Sequence, residues 1–437
     1  MSTAVGRQSS PGADKTGSAA TAPVLYRGTA LRSAKRWWSA TQRACSPDET
    51  LARIEPHLRR AGITRVADIT GLDRIGVTVM SAVRPNATTL AAAAGKGFDA
   101  LTATVSACME GIELHHAENA ALPVVQATYR SLARNQPVVD CEALPRWRES
   151  VWTPDTPLPF TSGFCLLRQE ETALPLELAC MPGPHIPGLR GGLDLFQVSS
   201  NGLASGNTLL EAICAGLYEV IERDAHAVVC AGERAGHFPP WVDLAGLDYP
   251  LVAELCERLE SAGQQLMVRD LTSDVGVPVY QATIKDATER NVGIYGGMGA
   301  HLDPEIALVR ALTEAVQGRA VYISGARDDM FIAEFRRWKR CDVPGANDAL
   351  ADPARVPQAP RRPDRSKESF EEDLREVLGA LAKAGIESAV VVDLTRPEFE
   401  IPVVKVVVPG LEGYADFGSY SPGERARRAG GDRGESR

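Results

Sequence analysis

Three stretches of the chain space their carboxylates so that a helix would gather them on one face. In "SACMEGIE", Ser106, Glu110 and Glu113 fall within about 60° of one another on a helix advancing about 100° per residue. In the stretch opening at Asn207, with Asn207 set at zero, Glu211 falls near 40°, Glu222 near 60°, Glu219 near 120° and Arg223 near 160°. The apolar side chains Leu209, Leu210, Ile213, Leu217, Val220 and Ile221 take roughly 200–320°, the opposite face. In "EIALVRALTEAVQGRA", Arg310, Glu314 and Gln317 again lie within about 60°. Carboxylates stacked this way repel one another unless a cation neutralises them. Hard oxygen donors of this kind suit Mg²⁺. A solvated face with Glu–Arg pairing would use the same residues, so the chemistry depends on whether the three faces converge.

The elements that would position them are long helices: about Leu101 to Ala121, about Thr208 to Cys230 and about Pro304 to Ser324. Leu51, Ile54, Leu58 and Ile63 repeat at helix spacing from Thr50 onward. "GVTVMSAV", "LELACMP", "QQLMVRDLT", "PVYQATIK", "ESAVVVDL" and "IPVVKVVVPGL" read as strands, and a further helix is expected from about Phe370 to Ala384. The mixture predicts an α/β or α+β fold with mixed sheets and long helices. Residues 1–24 are Ser-, Gly- and Ala-rich and read as a disordered tail. Arg32 to Trp38 joins cations to two tryptophans and reads as a solvated basic turn. Residues 342–367, with five prolines, read as an exposed connector. Residues 414–437 read as a flexible C-terminal tail, frayed from Gly423.

Composition excludes several functions. There are 47 Lys and Arg against 56 Asp and Glu, a net charge of −9 and a pI of about 5.5. That balance lacks the footprint of a nucleic-acid binder and argues against docking on an anionic membrane. No run of apolar residues is long enough for a membrane span, and the N-terminus lacks the apolar core of a secretory signal. Nine cysteines include no C-x-x-C pair and read as reduced core residues, which predicts a cytoplasmic protein. His115 and His116 are adjacent and point about 100° apart, so they suit a core-edge pair better than a zinc site. There is no P-loop, no dinucleotide-binding glycine motif and no nucleophile elbow. Any ATP site here is therefore of a non-P-loop kind.

Taken together, these stretches resemble the YcaO family, ATP-dependent enzymes that activate peptide backbone amides, and within it the branch associated with TfuA proteins. The resemblance rests on "GITRVADITGLDRIGVTV", "GKGFDALTATVSACMEGIE", "NGLASGNTLLEAICAGLYEVIERDA", "ALVRALTEAVQGRAVYISGARDD" and "VVVPGLEG". The family's S-x-x-x-E-x-x-E element reads as Ser106, Glu110 and Glu113. Its N-x-x-x-E and E-x-x-E-R elements read as Asn207, Glu211, Glu219, Glu222 and Arg223, and its E-x-x-Q element as Glu314 and Gln317.

The resemblance implies one YcaO catalytic domain over residues 25–413. It implies that Glu110, Glu113, Glu211, Glu219 and Glu222 hold Mg²⁺ against ATP, joined by Ser106 and Asn207. Arg223 would neutralise phosphate charge, making Glu219, Glu222 and Arg223 the catalytic group. Glu314 and Gln317 would sit near the nucleotide, and Thr50 and Arg43 match nucleotide-contacting positions. The implied reaction is O-phosphorylation of a peptide amide in a ribosomal precursor peptide, giving a thioamide with a TfuA-like partner. The alternatives are an azoline-forming cyclodehydratase acting on Cys, Ser or Thr, and a non-catalytic docking scaffold. With residues 1–24 alone ahead of that domain, substrate delivery is expected to fall to a partner or leader-binding protein; a homodimer is compatible with the resemblance. Two departures stand out. Leu114 replaces the arginine that commonly follows the first element, so its cation must come from elsewhere, with Lys96 and Arg319 as candidates. The C-terminus also lacks the proline-rich end of azoline-forming members.

Overall fold

Each of the three acid-bearing helices forms, and each lies against its own antiparallel sheet. The structure, a computed structural model, describes residues 23–38, 40–181, 195–287, 293–326, 357–415 and 420–431. We label the three helices α1 (Ala100–Glu118), α2 (Leu209–Arg234) and α3 (Pro304–Ser324). Each starts where a side-chain oxygen takes an otherwise unpaired amide. Asp99 accepts from Thr102, Thr208 from Glu211 and Asp303 from Glu305. Gly325, in the left-handed region at φ 67°, ends α3.

Helix α1 covers a three-stranded sheet in the order Arg65–Asp68, Thr78–Val83, Ala92–Gly97. Helix α3 covers a second, in the order Gln264–Asp270, Val279–Asp286, Ile294–Ala300. In both, the last strand runs under the helix that follows it, and glycine makes the contact close. A Cβ built on Gly95 would lie 2.1 Å from the Ala107 amide nitrogen and 2.2 Å from the Ala103 oxygen. On Gly297 it would lie 2.2 Å from the Ala315 nitrogen and 2.3 Å from the Ala311 oxygen. The helix backbone thus rests directly on the strand, which brings Glu110 on α1 and Glu314 on α3 towards Lys96.

Helix α2 crosses the central sheet, against Val403–Val407 and Leu203–Ser205. That sheet runs Glu170–Pro175, Leu158–Cys165, Val390–Asp393, Val403–Val407, Leu203–Ser205, with Val125–Ala127 also paired to Leu158–Cys165. Val390, Val391, Val403 and Val404 are fully buried because both faces are covered, which accounts for their unbroken apolar runs.

Several expectations change in the folded chain. "LELACMP" is not a strand: the strand is Glu170–Pro175, and Leu176–Ala179 is a helical turn of strong helix formers opening after Pro175. The periodicity from Thr50 to Ile63 is not one helix. The helix is Pro47–Ile54, a 3₁₀ turn follows at Glu55–His57 around Pro56, and Ile63 reaches the core past the left-handed Gly62. Arg32 to Trp38 is no solvated turn. Lys35 is buried against Asp373 at 2.7 Å, and Arg36–Trp38 pairs with Thr41–Arg43 in a hairpin.

The connector lies outside the described residues up to position 356. From 357 it runs along the surface, tied by Arg362 to Asp270 and by Arg365 to Glu376. Nor is Gly423 onward frayed through residue 431. Glu424–Ala429 is a helix packed on α2, because Arg425 reaches the fully buried Asp224 at 2.8 Å and Glu412 takes the Gly423 and Ala426 amides. Of the N-terminal stretch, residues 1–22 lie outside the described residues, and Val24–Tyr26 is already a strand.

Among the described residues no helix is long and apolar enough to cross a membrane. The eight described cysteines are free, and Cys108, Cys141, Cys165, Cys180 and Cys214 are buried.

Candidate functional site

A cavity of about 390 Å³ opens between α1, the start of α2 and the Arg36–Arg43 hairpin. Ser106, Glu110, Glu113, Asn207, Glu211 and Glu219 all line it, with Thr50, Arg43 and Lys96. Val309, Arg310 and Thr313 of α3 line it too, so faces read separately from three helices meet at one surface. Glu222, Arg223, Glu314 and Gln317 stand behind this lining rather than in it.

The side chains are held as a connected set. Thr50 donates from its hydroxyl to Asn207 Oδ1 at 2.9 Å, and the Asn207 amide reaches both Glu211 oxygens at 3.4 Å. Glu211 also accepts the Ala44 amide at 2.9 Å and faces Arg43 at 3.6 Å. Glu113 accepts both the amide and the hydroxyl of Ser205, at 2.8 and 2.6 Å. Lys96 Nζ donates to Glu314 at 3.1 Å, and Gln317 donates to the Ala94 carbonyl at 2.6 Å. Arg223 lies 3.7 Å from Glu222 with its guanidinium 4.6 Å from the centre of the Tyr414 ring. Tyr414 is fixed in turn by Gln197, which accepts its amide at 2.7 Å and donates to its carbonyl at 2.8 Å.

Burial pushes the carboxyls of Glu110 and Glu113 up to about 7 from an ordinary 4.5. Burial does the same to Glu219 and Glu222, with Arg223 opposing. Glu314 differs: burial acts to raise it, but Lys96 and Arg223 outweigh that and hold it below its ordinary value. Burial thus holds four carboxyls well above their ordinary range, short of positive charge. Among the described residues no three acid, imidazole or thiol groups close on a point as a finished metal cage. Mg²⁺ keeps several waters and is commonly shared between one or two carboxylates and substrate phosphates. The donor set is all oxygen, and it carries unspent negative charge.

A pH dependence follows. Below 4.5 these carboxyls are neutral folded or unfolded. Between 4.5 and about 7 the folded form holds more protons, so their contribution to stability falls as pH rises through that window. A divalent ion needs the ionised forms, so binding Mg²⁺ with a triphosphate must expel protons near pH 7. Calorimetric titration in buffers of differing ionisation enthalpy should show proton release near pH 7, vanishing by about pH 9, with affinity rising over the same range.

Of the two candidates to replace the cation absent at Leu114, Lys96 is in the site. Arg319 is not: it is buried between Asp73 and Asp286 at 2.9 and 3.3 Å. His115 and His116 pack on Phe399, and His116 Nδ1 is engaged by the Ile112 carbonyl, a core-edge pair as expected. Sequence reasoning missed Ser205, Tyr414 and Lys405. For Lys405 a signal existed, a lone charge inside "VVKVVV"; for Tyr414 there was none.

The fold and site define an α/β protein with an acidic, cation-demanding cleft and no P-loop. The family model described as YcaO cyclodehydratase, ATP- and Mg²⁺-binding, matches residues 94–412. The chain belongs to the YcaO family. It is 35% identical over 388 residues to an uncharacterized protein in the tfuA 3′ region of Rhizobium leguminosarum bv. trifolii, covering 85% of this chain and 88% of that one. It is 37% identical over 386 residues to an uncharacterized protein of Methanothermobacter thermautotrophicus, covering 85% and 95%.

Among solved structures, it matches YcaO from Methanopyrus kandleri bound with AMPPCP and Mg²⁺ at a TM-score of 0.65 and 25% identity, covering 86% and 94%. It matches a heterocyclase in complex with substrate and cofactor at a TM-score of 0.74 and 23% identity. That match covers 92% of this chain but 56% of the heterocyclase, and it speaks to the fold alone.

Proposed function

We propose that this chain uses ATP and Mg²⁺ to activate a peptide backbone amide by O-phosphorylation, and that the product is a thioamide. The observation that carries the activation chemistry is the cleft itself: carboxylates from separate helices, half-buried at Glu110, Glu113 and Glu219 and buried at Glu211, line one cavity and need a cation. The thioamide product is favoured by the relative in the tfuA 3′ region.

Glu110, Glu113, Glu211 and Glu219 line the cavity as the residues to hold Mg²⁺, with Ser106 and Asn207 beside them and Glu222 adding negative charge from behind the lining. Bound Mg²⁺ would offset the charge of the triphosphate against these carboxylates. Thr50 and Arg43, on the hairpin side, would meet the nucleotide. Arg223, held over the Tyr414 ring, keeps a planar donor fork in place for developing phosphate charge. Lys96 anchors Glu314, and Gln317 braces α3 against the strand beneath the cleft. An amide oxygen is a poor leaving group, and phosphorylation makes it a good one. The protein's contribution is positioning and charge neutralisation, and no protein nucleophile is required. The substrate on this reading is a ribosomal precursor peptide, presented by a TfuA-like or leader-binding partner.

The test is a reaction of the purified chain with ATP, Mg²⁺, sulfide and the short peptides encoded beside its gene, with and without the partner, read by mass spectrometry. Exchange of one oxygen for sulfur is expected. Loss of one water would make the chain a cyclodehydratase instead, and ATP binding with neither product would make it a docking scaffold.

A further inference from the structure

Lys405 is a charge where a strand should have none. It sits in Val403–Val407, flanked in the central sheet by Val390–Asp393 and Leu203–Ser205, and is only 6% exposed. An ammonium carries three donors, and this one makes a single hydrogen bond, to the Ser199 carbonyl. It forms no ion pair with any described carboxylate; its nearest acidic influence is Glu219, a lining residue of the main cavity. A buried cation with one hydrogen bond and no ion pair among the described residues is costly, so its two uncommitted donors call for a ligand.

The space for a ligand is present. Lys405 lines a second cavity of about 50 Å³ with Ser199, Asn201, Val220 and Glu412. A water needs about 10–15 Å³ of such space, so there is room for a small ion and little else. Asn201 Oδ1 is buried there without a hydrogen-bond partner. Glu412 is already spent on the Tyr420 hydroxyl and on the Gly423 and Ala426 amides. The two cavities have no lining residue in common but are lined by chain neighbours. Ser200 and Ser205 line the larger and Ser199 and Asn201 the smaller, while on α2 Glu219 faces the first and Val220 the second.

We propose that Lys405, with Asn201, forms a subsite for a small anion beside the nucleotide cleft, and, resting on the thioamide reading above, that this anion is the hydrosulfide nucleophile. The ammonium holds the negative sulfur, and Asn201 Oδ1 accepts its S–H. Hydrosulfide adds to the peptide carbonyl carbon, forming the C–S bond and moving the π pair onto oxygen. That oxygen takes the γ-phosphoryl group as the bond to ADP breaks. The C–O bond then breaks, phosphate leaves with the former S–H proton, and C=S remains. The sum is amide, hydrosulfide and ATP giving thioamide, ADP and hydrogen phosphate.

Bromide is a small anion that reports its own position. Crystals of the full chain soaked in bromide should show an anomalous peak at Lys405 Nζ, absent in Lys405→Met. With a peptide that the wild-type chain thioamidates, the KM for sulfide should rise about ten- to a hundredfold in Lys405→Met, and bromide should compete with sulfide in the wild type. No bromide at Lys405 in the wild type, or thioamidation by Lys405→Met at an unchanged sulfide KM, overturns the subsite while leaving the thioamide reading intact. Bromide bound at Lys405 in a chain that yields only azoline supports the anion subsite and removes hydrosulfide as its occupant. Because the crystal measurement is made on the wild type, a misfolded variant does not blunt it.

Discussion

Glu222→Gln should lower the rate of ATP turnover by about 10²–10³-fold while leaving the apo protein as stable as the wild type, or more so, at pH 8. The two effects run in opposite directions for one reason. Glu222 is 3% exposed, and burial has lifted its carboxyl to about 7, so at pH 8 the fold is holding an ionised group it would rather keep neutral. Glutamine keeps the shape, removes that cost and removes the charge the cleft needs for a divalent ion. A structural glutamate would behave differently: losing its partner would leave Arg223 short of charge and lower the melting temperature. Thermal melts at pH 5 and pH 8 beside steady-state ATP turnover separate the cases. The stability advantage of the variant should be seen at pH 8 and fade at pH 5, where both side chains are neutral.

The second large effect lies in the two glycines beneath the helices. Gly95→Ala and Gly297→Ala each place a carbon 2.1–2.3 Å from helix backbone atoms that have no rotamer to escape into. Either helix must lift off its strand, at a cost of about 3–5 kcal/mol. With α1 lifted, Glu110 and Glu113 leave the cavity; with α3 lifted, Glu314 leaves Lys96. Denaturant midpoints should fall, and nucleotide binding should weaken even where the chain stays folded. Gly379→Ala is the control. It sits within a helix with nothing inside 4 Å of the added carbon, so it should be neutral or stabilise by about 0.5–1 kcal/mol.

These two experiments also mark what the sequence could and could not tell. Helix periodicity is a local property, so the acidic faces of α1 and α2 were legible from spacing alone. Their meeting was not, because it depends on Gly95 and on the order of strands in the central sheet, and neither leaves a periodic trace. The split between lining residues and those behind them was equally hidden: Glu219 and Glu222 are three apart on one helix, yet only Glu219 faces the cavity.

Where local reading failed, tertiary partners decided. "ERARR" looks like a solvated tail until Arg425 is seen to answer a buried Asp224. "LELA" is apolar enough for a strand, but its helix propensity prevails once Pro175 sets the turn. Lys35 resembled a surface cation and is a buried partner of Asp373, which fixes the hairpin bearing Arg43.

The central claim is that carboxylates from α1 and α2 take up Mg²⁺ with a triphosphate in the cavity beside them. The most direct test is a crystal structure of the chain grown with AMPPCP and Mg²⁺. The account predicts the triphosphate in the cavity bounded by Glu110, Glu113, Glu211 and Glu219, with metal density on carboxylates from both helices and Arg223 still over the Tyr414 ring. A nucleotide bound elsewhere, or one seated there with no metal on any of these glutamates, contradicts it.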